Sequence, residues 1–189
     1  MAENFPVQFI KYNRGLKDFK SVMDKKNIPE DRDVTVSIFY GEGGTGKTNY
    51  AISLCKRFNI SYYILSASDK NTVWWDLYDG EKAIIIDDFY GWIRPHDLYR
   101  ICDRYKYKVP IKGSFLHAQW LFVFITSNNA PRDFYKKEVY ERLDQTAYHR
   151  RFHNVYLWEY FDYEKTCCSP LIKEKDERPI VQKMSEYKG

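Results

Sequence analysis

The chain is poor in the features that mark membrane, secreted and metal-stapled proteins. No apolar run approaches the ~18 residues of a membrane span, and no signal peptide opens the chain. Cysteine is scarce. Cys55, Cys102, Cys167 and Cys168 are the four present, two on apolar helical faces and two adjacent. The absence of a Cys-x-x-Cys pair argues against a zinc site or a disulfide framework, and a reducing compartment fits best. Histidine is equally rare. His149 and His153 stand four apart, but with no third ligand nearby a metal pair is not expected. No internal repeat is visible, so a solenoid or array is not indicated.

The 189 residues, 44% apolar and 18% aromatic, are enough for one α/β domain with its own core and do not read as a disordered chain. The net charge of +4 permits a polyanionic partner without requiring one.

Residues 41–48, Gly41-Glu42-Gly43-Gly44-Thr45-Gly46-Lys47-Thr48, satisfy G-x-x-x-x-G-K-[S/T]. A β-branched run (Val34, Val36, Ile38, Tyr40) leads in as a strand. Ala51, Leu54, Cys55 and Phe58 lead out with helical spacing. Glycines let a backbone close around phosphates, and the positive end of the next helix adds to the field. Lys47 can reach the β/γ-phosphates and the Thr48 hydroxyl can hold Mg²⁺. The pattern therefore predicts a nucleoside triphosphate site across Gly41–Thr48.

Residues 1–33 read as a helical lead-in, with Ile10, Leu16, Phe19, Val22 and Met23 on one face. Residues 34–164 alternate strand and helix. Strands are expected at 34–40, 62–65, 83–87, 121–126 and 155–158. Helices are expected at 47–58, from Pro95 through Leu98, Ile101, Cys102 and Tyr105, and near 133–143 with Asp133 as N-cap. Apolar strands separated by helices predict a mostly parallel five-stranded sheet covered on both faces. The charged tail, 165–189, is expected to be mobile.

Ala83 to Asp88 is an apolar strand ending in two acids, which puts carboxylates at the carboxyl edge of the sheet. Asp87 would hold Mg²⁺ and Asp88 would activate the attacking water; a GTPase switch or small-molecule kinase does not need the doublet. The competing reading is a turn with two solvated acids. Phe124 to Asn128 ends another strand at the same edge, where the Asn128 amide could sense the γ-phosphate. Arg150 and Arg151 precede the last strand. They either neutralise charge in a neighbour's site or pair on the surface with Glu141 or Asp144. The cluster Arg104 to Lys108, followed by Lys112-Gly113, suits a hairpin. Its lysines (Lys106, Lys108, Lys112) either contact a phosphate backbone beside base-stacking aromatics or guard an edge strand.

Together these segments resemble the superfamily 3 helicase domain of replication initiator (Rep) proteins of viruses with small circular single-stranded DNA genomes, circoviruses above all. The likeness runs from about residue 5 to residue 160. Trp74 to Gly80, Ile86 to Trp92, and Leu98 to Tyr105 carry it. Ile125 to Asn128 fits motif C, Tyr148 to Phe152 the arginine-finger segment, and Phe9 to Gly15 the lead into the domain.

The resemblance implies an AAA+-like P-loop ATPase using ATP and Mg²⁺. It implies a homo-oligomeric ring, a hexamer, with single-stranded DNA in the channel, Lys112 facing that channel, and residues 5–33 serving oligomerisation. It also implies duplex unwinding during rolling-circle replication, in a host nucleus.

Two departures stand out. Glu42-Gly43 replaces the family's common Pro-Pro, adding a negative charge near phosphates. No His-x-His occurs, so no nicking activity is expected here, and a nicking endonuclease domain is expected upstream in a longer protein. A viral superfamily 3 RNA helicase and an ATP-dependent assembly module without motor activity are the alternatives.

Overall fold

The structure, a computed structural model, describes residues 30–67, 73, 75–111, 114–158, 172–173 and 183–187, together with residues 7, 11, 12 and 15. The described strands are β1 (Thr35–Gly41), β2 (Tyr62–Leu65), β3 (Ala83–Ile86), β4 (Lys108–Ile111), β5 (Ser114–His117), β6 (Phe122–Ser127), β7 (Asn154–Trp158) and β8 (Ile172–Lys173). The helices are α1 (Lys47–Arg57), α2 (Pro95–Cys102), α3 (Lys137–Tyr140) and α4 (Gln145–His149), with a 3₁₀ turn at Pro131–Asp133.

The five strands legible in the sequence run parallel in the order β2-β3-β6-β1-β7, and β8 adds an antiparallel edge to β7. All four residues of β3 and all six of β6 are buried, as continuous apolar runs demand in a sheet covered on both faces. Register pairs Ile38 with Ile125, and Ile125 with Ile86. The segments that follow these residues therefore emerge side by side at one edge.

Alternate residues face opposite layers. Phe39, Ile85 and Phe124 pack with Ala51, Leu54 and Cys55 of α1. Val36, Ile84 and Val123 face a layer holding Leu98 and Ile101 of α2 and the stacked rings of Trp75 and Trp120, whose centroids lie 5.0 Å apart. Truncating a residue such as Leu54 to Ala in this interior costs about 2–5 kcal/mol.

Several expectations are corrected. The single helix near 133–143 is replaced by the 3₁₀ turn, α3 and α4. Asp133 is no cap; Asp144 caps α4, accepting the Ala147 N–H at 3.0 Å. The reason is packing. Consecutive Phe134 and Tyr135 are both buried, and the Phe134 carbonyl lies where a Cβ on Gly91 would stand 2.1 Å away. Lys136 is extended (φ -55°, ψ 147°), so the chain breaks between the turn that seats these rings and α3.

Helix α2 stops at Cys102 because Asp103 is extended, so Tyr105 leaves the helical face and is exposed. Residues 30–33, grouped by the sequence with the lead-in, are bonded to the domain. Asp31 bridges Tyr105, and the Arg32 guanidinium is buried against Trp120, 5.0 Å from its ring centroid. The described parts of the tail are docked: β8 pairs with β7, and Met184 is buried beside the α1 layer. Residues 7, 11, 12 and 15 are helical as expected. Ile10, Leu16, Phe19, Val22, Met23, Trp74, Lys112, Gly113, Cys167 and Cys168 lie outside the described residues.

Candidate nucleotide site

The phosphate loop is fixed by its neighbours. Gly41 ends β1 with φ 140°, and a Cβ there would stand 1.9 Å from the Trp158 carbonyl, so only glycine lets β1 and β7 meet. The Trp158 indole donates to the Thr45 carbonyl at 2.8 Å, and the Thr45 hydroxyl donates to the Glu42 carbonyl at 2.8 Å. Gly46 caps α1 at φ 86° and has no side chain of its own to bond that helix end, so the first-turn amides keep their anion-binding character. The Glu42 side chain is exposed, which keeps its charge in solvent.

Lys47 is buried. Its Nζ donates to the carbonyls of Gly41 at 2.9 Å and Glu42 at 2.5 Å, and to Asn128 Oδ1 at 3.2 Å. Burial lowers the Lys47 pKa, and the Asp88 charge opposes that shift.

The two acids part company. Asp87 Oδ1 accepts from the Thr48 hydroxyl at 2.6 Å and from the Thr126 hydroxyl at 3.0 Å. Asp88 has φ 45°, a left-handed conformation that a short polar residue tolerates. Its N–H donates to Thr126 Oγ1 at 3.1 Å, and its carboxylate accepts from Asn128 Nδ2 at 3.3 Å. Asn128 thus bridges Lys47 and Asp88.

Gly43, Gly44, Gly46, Lys47, Thr48, Asp87, Asp88 and Asn128 line one cavity of about 430 Å³. Among the described residues no cluster of three or more His, Cys, Asp or Glu side chains is arranged for a metal. One hydroxyl and one carboxylate in contact instead suit a hard cation held mainly by phosphate oxygens and water.

The arginines lie elsewhere. Arg150 and Arg151 precede β7, at the edge opposite Gly41, about 15 Å away by strand length. They line a second cleft, of about 720 Å³, with Arg32, Asp103 and His153. Arg151 pairs neither with Glu141 nor with Asp144. Its Nε and Nη2 each reach an Asp103 carboxylate oxygen at 2.9 Å, its Nη1 donates to the Ala147 carbonyl, and it lies over the Tyr99 ring. Arg150 is exposed, and among the described residues its side chain has no hydrogen bond or ion pair.

Lys106 and Lys108 are exposed at the foot of the β4–β5 hairpin, Lys106 being 3.8 Å from a Glu30 oxygen. Lys112 falls outside the described residues.

Sequence reasoning missed Trp158 as the clamp on the loop, Arg32, Asp103 and Phe115. The first three act through contacts far along the chain and have no local pattern. Phe115 had a signal: register pairs it with Pro110, on the side opposite the buried Val109, leaving its ring exposed.

A parallel sheet in this strand order, with a phosphate loop, an acid doublet and an amide at one edge, defines an α/β P-loop NTPase fold. A family model described as RNA helicase matches residues 37–129. The replication-associated protein of beak and feather disease virus is 34% identical over 158 residues, covering 84% of this chain and 50% of its own length. That of goose circovirus is 35% identical over 157 residues (83% and 49%), and that of porcine circovirus 1 is 33% identical over 159 (84% and 48%). The chain spans about half the length of the curated relatives it matches. The matched model and these relatives support a superfamily 3 helicase domain similar to that of circovirus replication-associated proteins.

Proposed function

We propose that this domain hydrolyses ATP to move along single-stranded DNA and unwind duplex during viral replication. The carrying observation is the meeting of Lys47, Asn128 and Asp88 in one cavity with the Thr48–Asp87 pair. Lys47 and the loop amides would hold the β/γ-phosphates. Thr48 and Asp87 would hold Mg²⁺, which when bound neutralises charge on the phosphate oxygens. Asp88 would orient the attacking water and accept its proton at a carboxylate oxygen. Asn128, between Asp88 and Lys47, would register the γ-phosphate by exchanging its bond to Lys47.

Arg150 and Arg151 stand too far from Gly41 to serve their own site. That supports a ring in which one copy's arginine completes the next copy's site, with Arg150 acting and Arg151 holding the segment. A hexamer is the assembly proposed. Exposed Lys106, Lys108 and Phe115 support a hairpin that grips a strand by charge and stacking, and Lys112 would add a phosphate contact. A nicking domain upstream and action in the host nucleus complete the reading. The match covers only half of the relatives' length, which supports the former.

The family model's description favours a second reading, an RNA helicase. Unwinding assays with matched DNA and RNA tracking strands separate the two. The core test is Lys47→Ala with circular dichroism. ATP turnover should fall about 10²–10³-fold with the fold intact; normal turnover would end the proposal. A wild-type rate indifferent to single strands would leave an assembly module without motor activity.

A further inference from the structure

Asp103 joins three parts of the chain. Its carboxylate takes the two-point fork of Arg151, while its carbonyl accepts Arg32 Nη2 at 2.9 Å. It lies where α2 ends and the connector 103–107 to β4 begins. Arg32 fastens that connector further, donating from Nη2 to the Tyr105 carbonyl at 3.1 Å and from its backbone N–H to the Arg104 carbonyl at 2.7 Å. The connector ends at the hairpin foot, where the Ala118 N–H donates to the Tyr107 carbonyl at 2.9 Å. On the other side, Arg151 grips Asp103, covers Tyr99 of α2, and is the chain neighbour of exposed Arg150.

We propose that Asp103 is a positioning residue coupling the β4–β5 hairpin to Arg150, so that strand binding at one copy fixes the arginine it presents to the next. This rests on the function proposed above. A displaced hairpin moves residues 103–107. The Arg151 side chain is only 13% exposed and its partner's 27%, so separating the pair would strand a poorly solvated charge. Arg151 therefore follows Asp103, and Arg150 follows Arg151. The fork is directional, and stacking on Tyr99 restrains it again, so a point charge would not transmit the motion equally. The pair is a physical link of the kind that coupling between sites requires.

The test compares Asp103→Asn, Arg151→Lys and the double variant with wild type, each as the full chain. ATP turnover is measured with and without a thymidine oligonucleotide, and oligonucleotide affinity by fluorescence anisotropy. The readout is the ratio of stimulated to basal turnover. Each single variant should bring the ratio toward one while affinity stays within about twofold of wild type, and the double variant should lose no more than either single. Equal loss of basal and stimulated rates, leaving the ratio intact, would make the pair merely structural and overturn the coupling. Additive losses in the double variant would also overturn it. If Asp103→Asn does not fold, Arg151→Lys, which keeps the charge, carries the same test. Absence of stimulation in wild type would overturn the function reading itself, and the coupling with it.

Discussion

Asn128 Oδ1 lies 3.2 Å from Lys47 Nζ, joining the end of β6 to the phosphate loop across 81 residues. The same amide donates to Asp88, so a group that displaces Lys47 from Asn128 also changes what restrains the acid. Asp88→Asn should therefore separate binding from chemistry. Turnover is expected to fall about 10²–10⁴-fold, with ATP affinity changed only severalfold. Equal losses in both, by single-turnover kinetics and nucleotide titration, would move Asp88 out of its role.

The two arginines should behave differently. Arg150→Ala should lower turnover about 10³-fold or more with an unchanged melting temperature, since the side chain has no partner among the described residues. Arg151→Ala should destabilise the domain by about 2 kcal/mol through its lost charged bonds. Mixing Arg150→Ala with Lys47→Ala subunits should restore part of the activity, because some junctions then combine an intact loop with an intact arginine. No recovery in mixtures would argue against completion of the site by a neighbour.

On the hairpin, Lys108→Ala and Phe115→Ala should weaken single-strand binding in distinguishable ways. Loss of Lys108 should reduce the salt dependence of affinity by about one ion. Loss of Phe115 should cost about 1–3 kcal/mol with the salt dependence retained. Identical salt slopes in both variants would place Lys108 outside the strand's path.

His153 makes stability depend on pH. Its Nδ1 accepts the Val36 N–H at 3.0 Å, and burial, aided by Lys183 and opposed by Asp33, holds its pKa below the ordinary 6.5. The unfolded chain then binds a proton that the folded chain refuses, so stability is full above 6.5 and falls as pH drops below it. Urea unfolding at pH 8 and pH 5 should show this loss, and His153→Asn should show a shallower one. An unchanged slope in the variant would assign the dependence to other groups.

Much of the site was legible because its parts are local patterns. The strand leading into Gly41, the acids closing β3 and the amide closing β6 are each a few residues long, and parallel pairing brings such strand ends to one edge whatever lies between them. The helix expected near 133–143 is broken at extended Lys136, where the Phe134 backbone is seated against Gly91, a contact made far along the chain and invisible to periodicity. The docking of residues 30–33 on the domain was hidden for a related reason. Arg32 resembles any surface arginine until Trp120 and the connector carbonyls enclose it.

The order of residues alone therefore determined the sheet, the phosphate loop and the chemistry gathered around it, since backbone periodicity and loop composition act over short stretches. Only the tertiary structure decided which arginine is held and which is exposed, and that Asp103 links hairpin to arginine. Those outcomes depend on side chains tens of residues apart meeting at hydrogen-bond distance, and no local pattern encodes such meetings.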